Sequence, residues 1–111
     1  MATLSSHLLN SVDGTHACGV KVIINQINSS GEKVIFFESE TDNGGRILKD
    51  FDLSKDDCNC DYEMVRKTAD YFSKKKIVSE IIIKFRMEDP KKKYHLPIII
   101  SPNGYSIWWS Q

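Results

Sequence analysis

The stretch Tyr94-His95-Leu96-Pro97-Ile98-Ile99-Ile100-Ser101-Pro102-Asn103-Gly104-Tyr105-Ser106 constrains the fold more than any other part of the chain. At a period of two, Tyr94, Leu96, Ile98 and Ile100 share one face of a strand, and His95, Pro97, Ile99 and Ser101 share the other. Ser101-Pro102-Asn103-Gly104 is a turn, because proline sets the bend and Asn-Gly takes positive φ at little cost. The apolar run Tyr105-Ser106-Ile107-Trp108-Trp109 returns from it, so the last two strands form a hairpin. A single titratable ring, His95, opens an otherwise apolar strand. Pro97 is the awkward member, since a proline lacks the ladder donor and belongs on an edge or at a bulge.

The rest of the chain repeats this grammar. Leu4 to Leu9 alternates weakly and ends in the turn-formers Asn10-Ser11-Val12-Asp13-Gly14. From Gly19 to Ile27, Val20, Val22 and Ile24 face one way and Lys21 and Asn25 the other. Asn28-Ser29-Ser30-Gly31 turns the chain, and Lys33 to Glu38 returns as a second hairpin. Asp42-Asn43-Gly44-Gly45 breaks it again and delivers Arg46 to the short apolar patch Ile47-Leu48. Ile81, Ile83, Phe85 and Met87 alternate with Glu80, Ile82, Lys84 and Arg86 up to the stop at Asp89-Pro90. Between these strands, Tyr62, Val65, Ala69 and Phe72 recur at helical spacing over Asp61 to Lys75, although a strand in the first half fits local propensity as well. Some seven or eight short strands, with turn signals every ~8–12 residues, describe an antiparallel β-sandwich.

A length of 111 residues suits one domain, 1–111, able to bury a core without cross-links. Lys plus Arg and Asp plus Glu each number 15, so there is no electrostatic footprint for nucleic acid or an anionic membrane. The clusters Lys74-Lys75-Lys76 and Lys91-Lys92-Lys93 read as solvated loop or edge residues. Met1-Ala2-Thr3-Leu4 has neither the basic nor the apolar part of a signal peptide, and no apolar run spans a membrane. Cys18, Cys58 and Cys60 are odd in number, and Cys58-Asn59-Cys60 is too tight for an ordinary disulfide. Reduced thiols in a cytoplasmic protein are expected. His16 and Cys18 have ligand chemistry, but no Cys-x-x-Cys accompanies them, and no metal is expected.

Three histidines occur. His16, in a Gly-Thr-His-Ala loop, reads as a surface residue, whereas His7 and His95 each stand within an apolar strand. From the residues alone, each strand histidine is either a hydrogen-bonded structural group or a functional one, and Arg46 a loop-exit arginine. No nucleophile elbow, His-Glu-x-x-His, Walker loop or dinucleotide fingerprint is present.

Leu4-Ser5-Ser6-His7-Leu8-Leu9-Asn10, the Asp42 to Arg46 turn and the Tyr94 to Ser106 hairpin together resemble the transthyretin-like family, and within it the 5-hydroxyisourate hydrolase branch. The resemblance runs the whole chain and is strongest at its two ends. It implies a two-sheet, eight-stranded β-sandwich with one short helix, assembled as a dimer of dimers with sites between subunits. The ambiguous middle then divides into a strand near Tyr62 to Lys67 and a short helix near Ala69 to Lys75. Because the family places the His95 strand inside a sheet, a bulge or a lost ladder bond is expected at Pro97.

The resemblance further implies a cofactor-free hydrolase. His7, Arg46 and His95 match the two strand histidines and the arginine that carry the branch's function, and the hormone-carrier branch lacks that set. The implied reaction is attack of water on a cyclic amide carbonyl of 5-hydroxyisourate. The implied product is 2-oxo-4-hydroxy-4-carboxy-5-ureidoimidazoline, in urate breakdown. His7 and His95 would activate the water and orient the substrate, while Arg46 binds and polarises it. Members of that branch end in Tyr-Arg-Gly-Ser, whereas this chain ends in Trp108-Trp109-Ser110-Gln111. Trp108 keeps a flat ring for stacking on substrate, and Trp109 replaces a guanidinium by an apolar ring. The alternative is a binding module of the same fold that holds a small aromatic ligand without turnover.

Overall fold

The computed structural model describes residues 1–72 and 77–110. Eight strands follow in order: β1 (Ala2–Asn10), β2 (Lys21–Ile27), β3 (Lys33–Glu40), β4 (Arg46–Phe51), β5 (Asp61–Arg66), β6 (Ile81–Phe85), β7 (Lys93–Ser101) and β8 (Gly104–Ile107). They make two four-stranded sheets, β4-β1-β7-β8 and β3-β2-β5-β6. Every pairing is antiparallel except β1 with β7, which run side by side in the same direction. A parallel pair needs a long crossover, and here the whole second sheet lies between the two strands in sequence.

The core is what alternation dictates. Leu4 and Leu8 of β1, Val22 and Ile24 of β2, Met64 of β5, and Leu96, Ile98 and Ile100 of β7 meet between the sheets, all buried. Each such aliphatic side chain contributes ~1.5–3 kcal/mol by leaving water. A register shift in the β2–β3 ladder, between Ile24 and Asn25, leaves Phe36 without its own partner. This bulge turns neighbouring Phe36 and Phe37 together onto Phe51, with ring centroids 4.8 and 6.1 Å away.

The middle of the chain corrects the helical periodicity. Asp61 to Arg66 is a strand, and its last five residues are buried whichever face they occupy. A central strand covered on both sides loses its alternation, and accidental spacing then imitates a helix. The short helix expected over Ala69 to Lys75 is absent from its described part: Ala69 to Tyr71 form a turn, and residues 73–76, with the Lys74-Lys75-Lys76 cluster, lie outside the described residues. Among the described residues the helical content is one 3-10 turn, Asp57–Asn59. No helix among them is long and apolar enough to cross a membrane.

The largest polar side chain in the interior is that of Arg66. Arg66 is fully buried and reaches across from β5 to β1, where its Nη2 donates to Ser6 Oγ at 2.5 Å; Ser6 Oγ in turn donates to the Leu96 carbonyl at 2.5 Å. Burial pushes its guanidinium down to about 10.

Candidate active site

The outward face of the β4-β1-β7-β8 sheet carries the polar residues that alternation leaves over. Its register sets them in two rows. Arg46 of β4 lies opposite His7 of β1, and His7 opposite Pro97 of β7. Continuing the β7–β8 register, in which Ile98 faces Ile107, places Trp108 beyond Pro97 at the end of that row. The second row runs from Leu48 through Ser5 and His95 to Ser110. His7 and His95 are therefore diagonal neighbours on adjacent strands, with Arg46 on the far side of His7. The structure brings together the three residues singled out from the two ends and second quarter of the chain.

Each is held by a local device. His95 Nδ1 lies 2.8 Å from Ser5 Oγ. In the tautomer that carries its proton on Nδ1, His95 donates to Ser5 and leaves Nε2 free as a base. Arg46 leaves a turn built on Asp42, whose Oδ1 accepts from the backbone N–H groups of Gly44 and Arg46, both at 2.9 Å. Gly45 closes that turn at φ +73° and is irreplaceable in shape: a Cβ there would stand 2.5 Å from the Leu8 carbonyl oxygen. The same backbone approach lets Leu8 N–H donate to the Gly45 carbonyl at 2.8 Å, locking the turn to β1 beside His7.

Pro97 spends its missing donor on the β8 side. Trp108 N–H reaches the Pro97 carbonyl at a long 3.4 Å, and regular pairing of β8 stops at Ile107. Of the two outcomes expected at Pro97, the lost ladder bond is the one found, and the β1–β7 register runs through Pro97 without a shift. Trp108 is 45% exposed and Trp109 48%. Trp109 falls between the two rows but turns to the other face of the sheet, where it lines a small cavity with Phe85, Arg86, Tyr94 and Leu96, beneath the Lys92 ammonium.

The structure adds a residue that sequence reasoning had placed on an inert surface. β4 stops pairing with β1 at His7, and the loop after β1 folds back to take over the vacated edge, setting His16 opposite Leu9. His16 stacks on His7 with ring centroids 4.8 Å apart, and its Nδ1 lies 2.7 Å from His7 Nε2. Nothing in a Gly-Thr-His-Ala loop announces this contact, which exists only because β4 is shorter than β1.

Electrostatics set His7 apart. Its imidazole titrates below the usual histidine value, first because it is partly withdrawn from water and next because the Arg46 guanidinium lies beside it. His16 and His95 act in the same direction, while hydrogen bonding to the Gly44 backbone opposes them. His7 is thereby held neutral at physiological pH. Among the described residues no group of three or more His, Cys, Asp or Glu is placed to hold a metal ion.

Residues 4–109 match the model of the HIUase/Transthyretin family. The 5-hydroxyisourate hydrolase of Salmonella dublin is 33% identical over 108 residues, covering 95% of this chain and 78% of that one. The solved 5-hydroxyisourate hydrolase of Klebsiella pneumoniae superposes with a TM-score of 0.77 at 27% identity, over 98% of this chain and 99% of that one. Transthyretin from Sparus aurata superposes with a TM-score of 0.85 over 96% and 95% of the two chains, and at 20% identity the likeness is one of fold alone. With the family model matched from the first strand to the last and the same sandwich beneath it, this chain belongs to the HIUase/Transthyretin family.

Proposed function

We propose that this protein is a 5-hydroxyisourate hydrolase acting in urate breakdown. Water adds to a ring carbonyl of the substrate, the ring C–N bond breaks, and the water proton passes to the leaving nitrogen. His7 and His95 activate the water and orient the ring, Arg46 holds and polarises the carbonyl with its planar fork, and Trp108 offers a flat surface at the end of their row. No cofactor takes part. One observation carries the reading: the β4–β1–β7 register sets Arg46, His7 and His95 on one accessible face.

A carbonyl hydrolysis needs a base that is unprotonated near neutrality and a fixed positive charge for the developing oxyanion. Arg46 supplies the charge and, by standing beside His7, also favours its neutral form. The face is open in a single chain, with Leu48 70% exposed and Trp108 45%. That openness supports a homotetrameric, dimer-of-dimers assembly with the sites between subunits. The free thiols Cys18, Cys58 and Cys60 support a cytoplasmic location.

The test is to generate 5-hydroxyisourate fresh and follow its ultraviolet decay with wild type, Arg46→Ala and His95→Ala. Wild type should accelerate decay, and each variant should lose ~10²–10⁴-fold in turnover while keeping its melting temperature. Wild-type rates in His95→Ala would remove that residue from the mechanism. The half-exposed tryptophan tail favours one competing reading, a carrier of small aromatic ligands; saturable binding by wild type without acceleration would establish that instead.

A further inference from the structure

The two site histidines are not equivalent, and the difference comes from His16. The bond to the Gly44 backbone favours the charged form of His7, as a ring N–H donating to a carbonyl does. With Nε2 turned to His16, the nitrogen that faces Gly44 is Nδ1, so neutral His7 carries its proton there. Its Nε2 is then a bare acceptor, and His16 Nδ1 must be the donor across the 2.7 Å contact.

We propose that His16 is a positioning residue of the site: its Nδ1–H caps Nε2 of His7, fixing the tautomer of that ring and dividing the shared work of the pair, so that His7 orients the substrate ring and His95 Nε2 takes the water proton. The proposal rests on the hydrolase reading for its catalytic meaning and on the stacked, hydrogen-bonded ring pair for its geometry.

The charged and titratable groups around His7 are few. Arg46 faces it from β4, His95 from β7 and His16 from the loop, and β1 contributes no other titratable side chain. In the adjoining turn the Asp42 carboxylate is occupied by backbone N–H groups, and the Cys18 thiol is turned to Asn43 Oδ1 at 3.4 Å. Neither supplies a competing partner for Nε2.

The experiment is an imidazole nitrogen-15 NMR titration of the full chain as wild type, His16→Ala and His16→Asn, alongside the pH profile of kcat/KM. An asparagine amide nitrogen occupies the place of Nδ1 and is a neutral donor. In wild type and His16→Asn, His7 should show the Nδ1–H tautomer and titrate at the same low pH. In His16→Ala it should titrate higher, and the acid limb of kcat/KM should move up with it, because a charged His7 repels the positive charge that builds on His95 as it takes the water proton. Superimposable His7 titrations in wild type and His16→Ala, an Nε2–H tautomer in wild type, or failure of His16→Asn to restore the low value would each overturn the proposal. The NMR readings need no turnover. An inactive wild type would thus overturn the hydrolase reading while the spectra still decided the role of His16.

Discussion

Arg66 is the residue whose chemistry is least comfortable in this fold. Its guanidinium lies between the sheets with one hydrogen bond, to Ser6, while Nε and Nη1 find no partner among the described residues and nor does the buried hydroxyl of Thr68. The nearest acid in sequence cannot help: Glu63 points to the opposite face of β5, where Asn25 and Lys33 satisfy it. A guanidinium that burial pushes down to about 10 has its charged, folded form disfavoured by roughly 3 kcal/mol. Because the folded value lies below the unfolded one, the penalty is complete at all lower pH and recedes only as pH rises past about 10. Arg66→Met fills similar volume without a charge, and Ser6 keeps its bond to the Leu96 carbonyl. It should stabilise the fold by ~1–3 kcal/mol, evenly from about pH 6 to about pH 9, read as a higher urea midpoint at unchanged slope. A loss of stability would mean that the interior guanidinium finds solvation the static fold does not display. At this scale the sequence was partly legible. Two strand histidines in apolar surroundings are conspicuous, but Arg66 and His16 are not, because a letter carries no information about which face its neighbours will cover.

Among the elements, the Asp42–Arg46 turn does more than reverse the chain between β3 and β4. It sets where β4 begins, and therefore which residue of β1 receives Arg46 as its neighbour and where His16 can enter. Gly45→Ala would meet the Leu8 carbonyl at 2.5 Å, the Ala17 nitrogen at 3.1 Å and the His16 Cβ at 3.2 Å, at a φ that side chains avoid. It should cost ~2 kcal/mol or more in urea unfolding. It should also lower kcat/KM by ~10²-fold, since Arg46 and His16 are displaced together. A variant as stable and active as wild type would show that this turn is dispensable to the site. The turn was visible in advance because Asn-Gly-Gly admits few alternatives, as was the β7–β8 hairpin. The strand Asp61–Arg66 was not, because both its faces are covered and burial no longer alternates. Pro97 was flagged correctly as a break in the ladder, and only the three-dimensional register shows that the break falls on the β8 side and frees the chain at Trp108.

For the molecule as a whole, the outward face bearing Arg46, His7, His16 and His95 is bordered by exposed Leu48 and Trp108. Sedimentation at micromolar concentration should give a species of about four protomers, and dilution that yields monomers should abolish turnover. A fully active monomer would move the site out of any subunit boundary. The sandwich itself could be anticipated from strand count and turn spacing, but the pairing partners could not, since period-two patterning says which face is buried and not which strand lies alongside.

The parallel alignment of the first strand with the last but one has a bearing on biosynthesis. His7 is made well before the strand that seats His95, because β2 to β6 lie between them. Until β7 docks, β1 has one flank unzipped. Closing a loop that spans most of the domain is entropically slow. Catalytic competence should therefore arrive only with that late pairing, and truncation before Ser101 should yield an inert, sticky fragment rather than a feeble enzyme.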